Sequence, residues 1–288
     1  MQTAARGQLT AALGALRNAD GGWPYYRGRR SRLEPTSWAM LATGTPFDTT
    51  PLGSWIGADG LLVEPGTPHA NFAFNGLAAL AAGASAAPAH VLAGVLRGLV
   101  AARGEAAAPS PVARLDSSLQ GWSWMAGTFS WVEPTAWCTL ALKRRGNGTA
   151  SAERIAVGER VLRDRVCADG GWNYGNSEVF GQALPAHVPP TAGAVLALQD
   201  HPNDALLTRA ASFLEVHALQ EGSTTSLALS ALALRMLNRD VSAITARLAA
   251  HVPSAIAFGN AAALAMAACA LGESALQDAL RLPTSPAR

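Results

Sequence analysis

The sequence predicts an all-α protein of the α6-α6 (α/α) toroid class, a single barrel domain with six inner helices ringed by six outer ones. Three observations predict it. The 288 residues are 49% hydrophobic and only 15% charged, as expected for one large folded domain. Helical segments with one apolar face alternate with segments that are small or apolar on every side. A glycine-tryptophan loop also recurs along the chain.

The recurring loop is the clearest sign of an internal repeat. Trp23 and Trp122 each follow a glycine, and each lies 11 residues before a glutamate, Glu34 or Glu133. Each glutamate opens a segment of the form Glu-Pro-Thr-x-Trp, and a third loop at 169–172 is followed by Pro-Pro-Thr. Matching spacing of this kind predicts a repeat protein. A proline in the first turn predicts that a helix begins at each Glu-Pro pair, with Glu133 at the N-cap.

Outer and inner segments alternate in order along the chain. The outer segments are 8–18, 46–62 (a short turn of helix, because of its prolines and glycines), 89–102, 152–167, 204–219 and 240–250. The inner segments are 34–43, 70–82, 134–145, 190–199, 223–237 and 255–271, followed by a short segment at 273–280. Residues 1–282 are therefore expected to form one domain of six helical repeats, and residues 283–288 a C-terminal tail.

The lengths of the connections predict where a functional site lies. The long ones, 18–33, 103–133 and 168–189, all run from an outer helix to an inner one. Such connections emerge at the same end of a toroid, so the tryptophans, glycines and acids should gather at one rim, where the inner helices begin. Loops on a rigid scaffold are the usual place for a functional site.

Composition narrows the class of partner. A net charge of +2 argues against a nucleic-acid binder.

Three widely separated cysteines in apolar segments predict buried, reduced thiols. We expect a cytoplasmic protein with no transmembrane segment, since no signal-peptide-like stretch opens the sequence; peripheral membrane contact stays open. Six scattered histidines without metal-ligand spacing predict no metal site, and no cofactor is expected.

The Asp-Gly-Gly-Trp loops at 20–23 and 169–172 and the Glu-Pro-Thr helix starts resemble the repeats of the prenyltransferase and squalene-hopene cyclase (terpenoid cyclase) superfamily. The resemblance implies a barrel whose cavity binds an isoprenoid or other lipid-like small molecule. The Asp-x-Asp-Asp and Asp-Asp-x-x-Asp motifs of that group are absent from this sequence. The zinc enzymes of the group have an aspartate two residues before a cysteine, but here Ala136 stands two residues before Cys138. The resemblance therefore points to a single-domain cyclase or isomerase that lacks the usual acid motif.

Glu133 and Glu34 are the predicted catalytic acids, because both lie at the rim end of inner helices. Free N–H groups and the positive end of the helix dipole stabilise a carboxylate there, which predicts a lowered pKa for both. A glutamate with a lowered pKa is better suited to cap a helix, form an ion pair or act as a base than to donate a proton. The alternative acids lie in the long loops: Glu64, Asp116 and Glu178.

Aromatic side chains are the first group of predicted substrate-binding residues. Trp131, Trp137 and Tyr174 offer ring faces that stabilise a cation or contact an apolar ligand. The tryptophans of the glycine-tryptophan loops are instead interpreted as packing between repeats: Trp23, Trp122 and Trp172.

Basic side chains form the second group. His69 and His187 each precede an inner helix, where they can bond a ligand or carry a proton. Arg29 and Arg30 belong to the basic run 27–32, which either binds an anionic group such as a diphosphate or is a solvated loop.

Two further functions fit the same fold. α6-α6 barrels include glycosidases and lyases that use paired carboxylates in aromatic clefts, and Glu34 and Glu133 would then face each other across a groove. A non-catalytic toroid that carries a lipid or binds a partner is the other alternative, favoured by the missing acid and metal motifs.

Overall fold

A computed structural model describes residues 2–110, 112–272 and 275–283 of the chain. The α-helices within these ranges are α1 (Gln2–Leu16), α2 (Leu33–Thr43), α3 (Phe72–Ala84), α4 (Ala89–Ala101), α5 (Val132–Arg145), α6 (Gly148–Asp164), α7 (Val188–Leu198), α8 (Ala205–Glu221), α9 (Thr224–Met236), α10 (Ser242–Phe258), α11 (Ala261–Ala270) and α12 (Ala275–Leu280). A two-residue hairpin pairs β1 (Glu178–Val179) with β2 (Gln182–Ala183) in antiparallel register. Most of the tail predicted at 283–288 lies outside the described residues.

Six helices form a closed inner ring. α2 packs on α3, α3 on α5, α5 on α7, α7 on α9, α9 on α11, and α11 returns to α2. The inner helices are rich in alanine, leucine and small polar residues and are buried almost all round, as their sequences predict. The one-faced helices α1, α4, α6, α8 and α10 pack against the outside of the ring. The predicted all-α α6-α6 toroid is confirmed.

The second outer element departs from a helix. Two short 3-10 helices, Phe47–Thr49 and Pro51–Trp55, stand where the other repeats have an α-helix. The prolines at 46 and 51 lack the N–H that an α-helix interior needs, so the chain can form only short turns there.

The last inner helix is shorter than expected. The sequence predicts it over 255–271, but α10 continues to Phe258 and α11 begins at Ala261. Gly259 ends α10 in the left-handed conformation with φ 74°, which glycine adopts without a side-chain clash. The Asn260 side chain then accepts a 3.1 Å hydrogen bond from the N–H of Ala263 and caps α11.

The glycine-tryptophan loops join each outer helix to the next inner one. The indole N–H groups of Trp23, Trp122 and Trp172 donate to carbonyl oxygens of α1, α4 and α6, at 2.8, 2.9 and 2.6 Å. Their backbone N–H groups donate to the threonine hydroxyls of the Pro-Thr helix starts, at 3.0, 3.1 and 2.8 Å. All three tryptophans are buried. The structural role expected for them is confirmed, but these bonds join the outer and inner helices of one repeat rather than neighbouring repeats.

The three cysteines are buried and unpaired. Among the described residues, no helix is both long and apolar enough to cross a bilayer.

Candidate active site

Two tryptophans from non-adjacent inner helices meet inside the barrel. The rings of Trp38 on α2 and Trp137 on α5 contact edge to face, with centroids 5.5 Å apart and an interplanar angle of 84°. Both side chains are buried, and α3 lies between their helices in the ring. Trp137, predicted to contact a ligand, therefore packs against Trp38. This buried ring pair is called the tryptophan floor below.

The two glutamates stand directly above this floor. Glu34 and Glu133 each precede their tryptophan by four residues, so each lies on the same helix face as that tryptophan, about one turn closer to the rim. Both are half-buried. The two negative charges also interact, since Glu34 contributes to the pKa of Glu133. The structure thus brings the two predicted acids together at the barrel mouth, the end where the inner helices begin.

The environment of these carboxyls raises their pKa values. Burial, and then the charge of Glu34, raise the pKa of Glu133 from an ordinary 4.5 to about 7. Burial also raises the pKa of Glu34, and the hydrogen bond from Tyr25 opposes that rise. The lowered pKa values predicted from sequence are therefore wrong. Neither glutamate is the N-cap, since Arg32 and Trp131 hold those positions, and desolvation outweighs the helix dipole.

The partners of the two glutamates differ. The Tyr25 hydroxyl donates a short hydrogen bond to Oε2 of Glu34. Buried Glu64 lies nearby and accepts hydrogen bonds from Arg32 (2.7 Å) and from the N–H of Leu33 (2.5 Å). By contrast, the carboxyl of Glu133 has no hydrogen bond or ion pair with any residue that the structure describes. Paired carboxyls in unlike surroundings are a common sign of separate acid and base roles.

Aromatic side chains border the mouth beside Glu133. Trp131 is 40% exposed and Tyr174 is 42% exposed. A β-carbon built on Gly175 would lie 3.2 Å from Cε3 of Trp131, so the loop around Tyr174 packs closely against that indole. The Tyr174 ring lies 5.7 Å from the ring of His187, and burial and then the charge of Glu133 raise the pKa of Tyr174. Trp131, Tyr174 and His187 are thus gathered at one side of the site.

Other candidates lie apart from this group. His69 is exposed, as are Arg29 and Arg30. Among the alternative acids, Asp116 bonds Ser118 within its own loop, and Glu178 pairs with Arg114 at 3.7 Å.

Sequence reasoning missed Tyr25, which binds Glu34, and Trp38, which completes the floor. A signal for Tyr25 exists in the repeat itself. The residue two positions after each loop tryptophan is aromatic in all three copies, Tyr25, Trp124 and Tyr174. In the structure these rings contact the inner-helix starts, at Glu34, Phe74 and His187 respectively.

A second polar cluster lies where α5 ends. Nζ of Lys143 lies 2.5 Å from Glu159 and 2.6 Å from Asp200, and His201 Nε2 is 3.0 Å from Glu159. Glu159, Asp200 and His201 could supply metal ligands, because their side-chain ligand atoms lie close together. The ammonium of Lys143 already lies between the two carboxylates and pairs with both, so the cluster is an ion-pair network that ties α5 and α6 to the connection after α7.

No family model and no curated protein matches the chain. Solved structures do match it, and one is endoglucanase Cel10 of Klebsiella pneumoniae, a family 8 glycosyl hydrolase. The similarity has a TM-score of 0.52 and covers 86% of this chain and 99% of that chain, at 15% sequence identity. At this identity the likeness supports the fold, a mostly helical α6-α6 barrel.

The comparison corrects the family expected from sequence. The resemblance to the prenyltransferase and squalene-hopene cyclase superfamily is not a family relationship, because the structural match is to a glycosyl hydrolase. The expected cyclase or isomerase activity loses its support with it, and the isoprenoid ligand stays an untested prediction. The residues that carried the resemblance have a structural explanation, since the loop tryptophans and the Pro-Thr threonines bond one another in each repeat.

Proposed function

We propose that this protein is a carbohydrate-active enzyme that hydrolyses glycosidic bonds, with Glu133 and Glu34 as the reacting carboxyls. The observation that carries the proposal is the pair of interacting carboxyls above the tryptophan floor, one of them with its pKa raised to about 7. The likeness to a glycosyl hydrolase barrel supports the same reaction class.

Glycoside hydrolysis needs two carboxyls in different protonation states. One, as an acid, protonates the leaving oxygen; the other, as a carboxylate, activates water or attacks the sugar carbon. We assign the acid role to Glu133. With a pKa of about 7 it keeps its proton in a large share of molecules at neutral pH, and no described side chain competes for that proton.

Glu34 then takes the carboxylate role. Burial raises the pKa of Glu34, and the hydrogen bond donated by Tyr25 opposes that rise by stabilising the ionised form; Glu133 has no such bond within the described part of the chain. The positive charge that develops on the sugar ring in the transition state would be stabilised by this carboxylate and by neighbouring aromatic faces.

The shape of the site indicates how a substrate would lie. Because the buried tryptophan pair lies about one helical turn below the two glutamates, we place the sugar chain across the mouth of the barrel. The exposed faces of Trp131 and Tyr174 offer the flat apolar surfaces on which the C–H faces of sugar rings pack.

The experiment is a reducing-end assay on soluble β-glucan, xylan, chitosan, mannan and the acidic polymer carboxymethyl cellulose. We expect the wild type to cleave at least one polymer, and Glu133→Gln to lower kcat by about 10²–10⁴-fold, the usual contribution of a general acid. Glu153→Gln, on an exposed position of α6, is the matched control and should retain full activity. Cleavage of none of the polymers, or an unchanged rate in Glu133→Gln, would refute the proposal.

A further inference from the structure

We propose that the first rim loop and the end of α10 form a binding surface for an acidic polysaccharide, one that carries carboxylate or sulfate groups. The surface consists of Tyr26, Arg27, Arg29, Arg30 and Phe258 and is called the arginine-aromatic surface below. This inference rests on the proposed function and deepens it, because it names the chemical class of the polymer that reaches the glutamate pair.

The arginines of this surface are available to an external anion. Arg27, Arg29 and Arg30 are all exposed, and within the described part of the chain none of them forms an ion pair or a side-chain hydrogen bond. Two other arginines near the loop are already engaged. Arg17 donates to the carbonyl oxygens of Gly21 and Thr49, at 2.9 and 2.7 Å, and Arg32 is bound to Glu64.

The acid that precedes the arginines in the same loop does not neutralise these charges. Asp20 accepts hydrogen bonds from the Ser31 hydroxyl (2.7 Å) and from the N–H of Gly22 (3.0 Å), which fixes its carboxylate inside the loop. Three like charges within four residues repel one another. Such a charge cluster therefore favours binding of a polyanion, and the attraction weakens with salt.

An exposed aromatic pair adjoins the arginines. Tyr26 is 41% exposed and Phe258 is 70% exposed, and their rings contact edge to face with centroids 5.8 Å apart. Asn260 donates a 3.2 Å hydrogen bond to the Tyr26 hydroxyl and holds that ring in place. The rings border an apolar groove of ≈ 440 Å³ between α1 and α10, to which Arg27 also contributes. Aromatic faces beside a recessed groove suit sugar rings.

The surface is joined directly to the catalytic pair. Tyr25, which bonds Glu34, is the neighbour of Tyr26 in the chain, and its carbonyl oxygen accepts a 2.9 Å hydrogen bond from the N–H of Ala261 at the start of α11. We therefore extend the path of a sugar chain from the Glu34 side of the mouth to Tyr26 and the arginines.

Charge and shape together favour an acidic polymer over an anionic membrane. The large apolar side chains at this surface are two aromatic rings, one of them anchored through its hydroxyl, and they border a groove. A membrane-binding helix would instead present a continuous apolar face of Trp, Phe and Leu side chains to the bilayer, with Lys and Arg on its polar face.

The test is affinity electrophoresis in gels that contain carboxymethyl cellulose or hydroxyethyl cellulose, which share a backbone and differ in charge. We expect the wild type to be retarded by carboxymethyl cellulose alone, and less so at high salt. Arg27→Gln/Arg29→Gln/Arg30→Gln should weaken binding about tenfold, from three exposed charge contacts of modest strength, and Phe258→Ser should weaken it further.

Two matched controls keep the result interpretable. Arg97→Gln/Arg160→Gln/Arg209→Gln removes the same charge from exposed positions of outer helices and should leave retardation unchanged. Glu133→Gln should also leave it unchanged, so loss of hydrolysis and loss of polymer binding are read separately. Any of three results would overturn the inference. The two celluloses could retard the wild type equally, or the triple Arg27/Arg29/Arg30 variant could be retarded as strongly as the wild type. The third is binding to phosphatidylglycerol vesicles without binding to carboxymethyl cellulose.

Discussion

Replacing Glu133 with glutamine should lower kcat by about 10²–10⁴-fold and at the same time stabilise the fold at alkaline pH. The folded pKa of about 7 lies above the ordinary 4.5, so protonation favours the folded state. The sign follows from linkage: this contribution is fully present below pH 4.5 and is lost as the pH rises through 7. At pH 8 the wild type therefore carries a buried, ionised carboxylate next to Glu34.

The size of the effect follows from the pKa shift. A shift from 4.5 to about 7 corresponds to about 3 kcal/mol of unfolding free energy. Glutamine has a similar shape and no charge, so Glu133→Gln should gain stability over the wild type by about 2–3 kcal/mol between pH 5 and pH 8.

Urea denaturation followed by circular dichroism at pH 5 and pH 8 measures this difference. Glu153→Gln supplies the baseline for a glutamate-to-glutamine change at an exposed helical position. If the gain of Glu133→Gln over the wild type is the same at both pH values, the argument that Glu133 is destabilised in its ionised form is wrong. A loss of stability at pH 8 would show instead that Glu133 is held by favourable contacts.

Three further predictions follow from the same contacts. The pH profile of kcat/KM should fall on its alkaline side near pH 7, as Glu133 loses its proton. In Glu34→Gln, which lacks the reacting carboxylate, urea denaturation across pH should show the Glu133 contribution to unfolding free energy being lost at lower pH than in the wild type, because the neighbouring charge is removed; an unchanged pH dependence would show that the two carboxyls do not interact. Tyr25→Phe removes a hydrogen bond that lowers the pKa of Glu34, so the acidic limb of the profile should move to higher pH while the melting temperature changes little. Lys143→Met leaves the carboxylates of Glu159 and Asp200 without their cation and should destabilise the fold by about 3 kcal/mol with kcat unchanged in the molecules that stay folded, as measured by urea denaturation and activity in parallel; unchanged stability would contradict the ion-pair network.

Much of the architecture could be predicted from sequence, because the burial of a helix leaves a periodic pattern of apolar residues along the chain. The inner helices are apolar all round, and their starts are marked by the Pro-Thr pairs at 134–135 and 190–191, where the threonine hydroxyls receive the loop N–H groups. The boundary at 259–260 was missed since alanine-rich sequence continues through it and only the glycine conformation and the asparagine cap separate the two helices.

Less of the chemistry of the site could be predicted from sequence. The helix-terminus argument gave the wrong direction for the pKa of Glu133, because desolvation and the charge of Glu34 depend on which helices face each other across the ring. Sequence spacing pairs Glu34 with Trp38 and Glu133 with Trp137 along each helix, but it contains no information on the contact between the two tryptophans. Tyr25 was within reach, since its position in the repeat matches that of Tyr174.

Hydrolysis in heavy-oxygen water tests the central claim most directly. The soluble polymers are incubated with the wild type or with Glu133→Gln, and the products are analysed by mass spectrometry. Our account predicts that the wild type releases shorter chains with one heavy oxygen at each new reducing end, and that Glu133→Gln releases almost none. Absence of cleavage by the wild type, products without heavy oxygen, or equal release by Glu133→Gln would contradict it.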